Sequence, residues 1–81
     1  MTIDSLKFAQ INEYIELKFG NENRTIIHSD EIKERFGLPY GYIDDLIEAA
    51  SKYDAKYNIV APAKDQGLFC DIIFVRFDNP E

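Results

Sequence analysis

Phe36-Gly37-Leu38-Pro39 separates two short stretches of helical apolar spacing, and a chain that contains this tetrad has to turn a corner there. Glycine takes the left-handed conformation that ends a helix, the leucine folds back over the last turn, and proline tolerates the first position of the next helix because its missing N–H would be unpaired there. Upstream, Ile32 and Phe36 lie four apart and predict a short helix over residues 30–36, with Ser29 as its N-cap and Asp30 and Glu31 at its positive end. Downstream, Ile43, Leu46, Ile47 and Ala50 form a narrow apolar stripe over residues 40–53, flanked by Tyr42 and Tyr53; Gly41, Asp44, Asp45, Glu48 and Lys52 take the other face. With 81 residues in all, one domain over residues 1–81 is expected. A domain of this size buries roughly 60% of its unfolded surface, which leaves no room for a second lobe or a deep enclosed active site.

The flanking segments supply the rest of the core. Phe8, Ile11, Ile15 and Phe19 recur at spacings of three and four and predict a helix over residues 3–19, capped by Asp4 or Ser5 and closed by Gly20. Ile3, Leu6, Tyr14 and Leu17 fall off that stripe, so this helix is apolar on more than one side. Thr25-Ile26-Ile27 is a short β-branched run that suits one strand. The period then changes: residues 57–63 and 68–77 are β-rich, and Lys64-Asp65-Gln66-Gly67 reads as the hairpin loop between them. Pro62 puts the first of these strands at an edge or limits its length.

In the last run, Leu68, Cys70, Ile72 and Phe74 point to one side, while Phe69, Ile73, Val75 and Phe77 point to the other. Three helices in so short a chain cover one face of a three-stranded sheet and leave the second wet. A second copy or another protein is therefore expected on Ile73, Val75 and Phe77. The alternative is that the N-terminal helix wraps far enough to cover them.

The order helix, short strand, helix, tight turn, helix, strand, loop, strand resembles the winged helix-turn-helix family over residues 3–77. The turn carries the closest local match: Ile32, then Phe36-Gly37-Leu38, then Ile43 and Leu46, six and nine positions beyond the glycine. Lys33 departs from the pattern, standing where the family usually packs a small residue between the helices. The resemblance implies an α+β winged helix-turn-helix fold with three helices, a small antiparallel sheet and a C-terminal β-hairpin wing. It also implies that the helix over residues 40–53 enters the major groove of DNA and that the wing touches the backbone. A generic α+β domain with a plain helix-helix corner is the other reading of the same residues.

Charge argues against the family's usual ligand. Fifteen carboxylates against nine Lys plus Arg give a net charge of −6, whereas phosphate contacts need clustered cations. Asp44, Asp45 and Glu48 would face phosphates, and the wing offers Lys64 offset by Asp65. The expected role is that of a non-enzymatic protein-interaction module, with Asp44, Asp45, Glu48, Tyr40 and Tyr42 contacting a basic protein surface. An acidic inhibitor or DNA mimic of a nucleic-acid-handling protein belongs to this class. The blander reading makes the three acids a solvated helix face. The alternative function is a DNA-binding transcriptional regulator that uses Lys52, Lys64 and Tyr40; a third makes the chain a small subunit docked by its apolar sheet.

Residues that support chemistry are sparse. His28 is the sole histidine and is expected to face solvent or bond the helix start, Cys70 is the sole cysteine, and Asp44 and Asp45 diverge by about 100° on a helix. The glycines are too scattered for a phosphate loop. No enzyme activity, metal or cofactor is expected. A lone cysteine fits a reducing cytoplasm, no apolar run approaches the ~18 residues of a membrane span, and neither terminus shows a leader or lipidation motif, so the mature chain is expected to be the chain as read. The expected partners are a basic protein and a second copy in a homodimer, with nucleic acid disfavoured and no membrane.

Overall fold

Asp4 opens the first helix, α1 (Ser5–Phe19), its carboxylate accepting from the Lys7 N–H at 2.8 Å. Phe8, Ile11, Ile15 and Phe19 are buried along one stripe, as their spacing predicts. The remaining apolar residues divide: Ile3 is buried ahead of the helix, Tyr14 is half-buried, and Leu6 and Leu17 face solvent. The computed structural model describes residues 2–39, 41–61 and 70–77. Within them α1 is followed by β1 (Arg24–His28), α2 (Ser29–Phe36), α3 (Tyr42–Lys52), β2 (Tyr57–Val60) and β3 (Asp71–Arg76). The class is α+β, with three helices and a small three-stranded antiparallel sheet.

The last strand lies at the centre of the sheet, in the order β1-β3-β2, antiparallel to both neighbours. Strand alternation sorts the side chains into two faces. Inward, Thr25, Phe74 and Ile59 form one cross-strand row, and Ile27 sits beside Ile72; Ile72 and Phe74 are fully buried. Outward, Arg24, Val75 and Asn58 form a row, and Ile26, Ile73 and Val60 form the next. α1 does not wrap round to this outer face, since Ile26 is 52% and Val60 48% exposed. β2 is an edge strand, as expected. Pro62 and the hairpin loop Lys64-Asp65-Gln66-Gly67 lie outside the described residues.

Side chains of α1 tie the layers together. The Arg76 guanidinium pairs with Glu16 at 2.8 Å, donates to the Glu22 carbonyl at 3.2 Å and lies 4.3 Å from the Phe19 ring centroid. It thus clamps the end of α1 to the central strand. Between α1 and α2, the Tyr14 hydroxyl donates to Glu31, which also pairs with Lys18 at 2.8 Å, and the Arg35 guanidinium lies 4.5 Å from the Tyr14 ring centroid. Lys7 donates to the Phe36 carbonyl at 3.2 Å and so satisfies the C-terminal end of α2.

The predicted corner forms. Gly37 is left-handed at φ 64°, and Leu38 is buried, its N–H donating to the Lys33 carbonyl at 2.9 Å. Lys33 itself is half-buried, so the long side chain leaves this capping geometry intact. Three details differ from the expected local structure. Ser29 does not cap α2; it is the first helical residue, and the cap is His28, whose Nδ1 accepts from the Asp30 N–H at 3.1 Å. The serine hydroxyl is engaged elsewhere, accepting from the Cys70 N–H at 3.2 Å, while the Ser29 N–H donates to the Cys70 carbonyl at 2.8 Å. Pro39 does not open the third helix, which begins at Tyr42, because Gly41 takes φ 79°, outside the helical region. Ile47 leaves the buried stripe and Ala49 joins it.

Candidate functional site

α3 owes its position to the corner and to one buried hydrogen bond. Ile43, Leu46, Ala49 and Ala50 pack inward, and the Tyr42 hydroxyl donates to the Ser29 carbonyl at 2.9 Å. Tyr42 is 2% exposed. It cannot reach a partner, and the expectation that it contributes to a binding surface is corrected: its ring fills the space between α3 and the start of α2. Burial, then the nearby Cys70 and Asp30, push its phenol above the ordinary value near 10.

With these residues inward, Asp44 and Glu48 stand one turn apart on the outward face, both exposed. Asp45 is half-buried at the side, beside a shallow groove of about 40 Å³ that it lines with Thr2, Ile3, Glu48, Ala49 and Lys52. That volume holds a water or two and no ligand. Lys52 is exposed, its ammonium 5.4 Å from the Tyr53 ring centroid. Tyr40 and Lys64 lie outside the described residues.

The opposite flank of α3 carries a feature that the sequence reading missed. An open groove of about 310 Å³ runs between the end of α3 and β2, bordered by Ile47, Asp54, Ala55, Ile59 and Phe77. Ile47 is 39% exposed there. It sits about 100° from the centre of the buried stripe on the helical wheel, a signal that a full wheel would have given. Phe77, expected on the outer sheet face with Ile73 and Val75, lies past the end of β3 and borders this groove instead; Ile73 and Val75 are half-buried on the sheet.

Reactive groups do not converge among the described residues. Among the described residues no three His, Cys, Asp or Glu side chains group so as to hold a metal ion. Burial and then Asp71 push the Cys70 thiol up, so it stays protonated at neutral pH despite the opposing hydrogen bond from Ser29. Nor is any helix among the described residues long and apolar enough to cross a membrane. Compared with protein-family models, with curated proteins and with solved structures, the chain matches none.

Proposed function

We propose that this chain is a protein-interaction module of winged-helix type, whose α3 face binds a basic protein surface in place of DNA. The observation that carries the reading is the exposure of Asp44 and Glu48, one turn apart, on the outward side of the helix that follows the Gly37 corner. In a winged helix that face reads base edges, a task for Arg, Lys, Asn and Gln rather than for two carboxylates set against a row of phosphates. Against a cationic protein surface the same two charges steer encounter and fix orientation. A nucleic-acid-handling protein presents such a surface in its binding channel, and there the module acts as an inhibitor that competes with nucleic acid.

The test sets duplex DNA and a basic protein side by side. At low salt, where electrostatic attraction is strongest, the chain should show no saturable binding to mixed-sequence duplex. Basic proteins captured by the immobilised chain should be lost when Asp44, Asp45 and Glu48 are changed to Lys, and duplex DNA should displace them. Saturable duplex binding that falls when Lys52 and Lys64 are changed to Ala would overturn the reading in favour of a DNA-binding regulator.

A further inference from the structure

We infer that two copies of this chain pair through the outer face of the sheet, with the facing strands running in opposite directions. The row Ile26, Ile73 and Val60 crosses all three strands, with Val75 beside it, and gives a continuous apolar strip that none of the described helices covers. Such a strip rimmed by polar groups marks an interface. Its electrostatics select the occupant. The molecule carries a net −6, yet among the paired strand residues the outward charged side chains are Arg24 and Asp71, one of each sign. These paired rows are thus neutral, while the acidic α3 lies on the far side of the sheet. A strongly basic partner finds one carboxylate here against one cation, whereas a second copy matches both charges.

The placement of those two charges also fixes the symmetry. Arg24 stands in the row of Val75, on one side of the apolar strip; Asp71 stands in the row of His28, on the other. Sheets pack face to face about 10 Å apart, within the combined reach of an arginine and an aspartate. A two-fold axis lying along the apolar row sets Ile73 against Ile73 and turns the Arg24 side of one copy over the Asp71 side of the other, twice per dimer. An axis along the strands instead sets the two Asp71 carboxylates of the central strands against each other. The first arrangement is attractive and the second repulsive, so the pairing runs about the row. The contact is isologous and closes as a dimer.

This dimer involves neither Asp44 nor Glu48 and stands or falls apart from the function proposed above. Light scattering or sedimentation on the full chain, from about 10 µM to about 500 µM, should show a monomer-dimer equilibrium. Ile73→Glu should weaken it by about tenfold or more while the circular dichroism spectrum stays native. Arg24→Asp and Asp71→Arg should each weaken self-association, and an equimolar mixture of the two variants should restore it, because every facing pair is then opposite in charge. A native chain that stays monomeric throughout the range, or a dimer indifferent to Ile73→Glu, overturns the interface. A mixture no tighter than either variant alone overturns the orientation.

Discussion

Ser29 shows how a single residue can be drawn away from the role its neighbours assign it. Its place before Asp30 and Glu31 is that of an N-cap, but a cap hydrogen bond is worth about 1 kcal/mol and the hydroxyl has a competing buried use on the first residue beyond the sheet. Three interactions converge on this buried residue: its N–H and hydroxyl bond Cys70 and its carbonyl receives Tyr42. Neither partner is local, which is why the sequence did not reveal them; 41 and 13 residues separate them from Ser29. Tyr42 was misjudged for the same reason, because its hydroxyl is satisfied inside the molecule. Tyr42→Phe should cost about 0.5–1.5 kcal/mol in a neutral-pH denaturant titration. The alkaline side gives a sharper readout. Burial raises the phenols of both Tyr42 and Tyr57 above the ordinary 10, with Cys70 and Asp30 adding to the first and Glu16 to the second. Their contribution is complete below pH 10; above it the unfolded phenols ionise while the folded ones keep their protons, so the unfolded state binds fewer protons and stability falls as pH rises. Stability above pH 10 should therefore fall less steeply in the Tyr42→Phe, Tyr57→Phe double variant than in the native chain. An equal slope would mean that these phenols ionise alike in both states.

The elements themselves were largely legible. α1 follows its four-residue stripe, the corner follows Gly37, and the two C-terminal strands follow the change of period. Boundaries were less so, because backbone conformation decided them: Gly41 at φ 79° delays α3 beyond Pro39, and no neighbour crowds a Cβ there, so the left-handed backbone alone selects glycine. That delay bears on the acidic face. Gly41 gives α3 no side-chain cap, and Asp44 and Asp45 stand in its first turn, where carboxylates compensate the exposed N–H groups and the positive end of the dipole. Two of the three acids thus have a use in stability. Glu48, a turn further on and exposed, does not. Asp44→Asn and Asp45→Asn should each lower the unfolding free energy by about 0.3–1 kcal/mol, whereas Glu48→Gln should leave it within about 0.5 kcal/mol of the native chain. A destabilisation by Glu48→Gln as large as that of the aspartates would show the third acid to be structural too. If stability is unchanged, Glu48→Gln isolates the proposed binding role of the face from its folding role.

Among the described residues, the helices and the sheet divide the surface into parts of different character: an acidic outward face on α3, an apolar outer face on the sheet, and a groove between them at Ile47 and Phe77. The wet second face of the sheet was legible, because a strand with apolar residues on both sides in a three-helix chain leaves one side over. The groove was not, because it depends on where β2 meets the end of α3. A net −6 on so small a body makes self-repulsion a term in its stability. Opposing it are exposed or half-exposed pairs such as Lys18–Glu31 and Arg76–Glu16, and such pairs are worth about 0–1 kcal/mol each. Salt screens both, but repulsion among an excess of six carboxylates sums over the molecule while each pair acts alone. Raising ionic strength from about 0.01 M to about 0.3 M shortens the screening length from ~30 Å to below ~10 Å and should raise the thermal unfolding midpoint. Over the same range, capture of the proposed basic partner should weaken. The two salt dependences then have opposite signs in one protein, which separates charge acting on the fold from charge acting on the partner. A midpoint that falls with salt would place the Lys18 and Arg76 pairs above global repulsion as the larger electrostatic contribution.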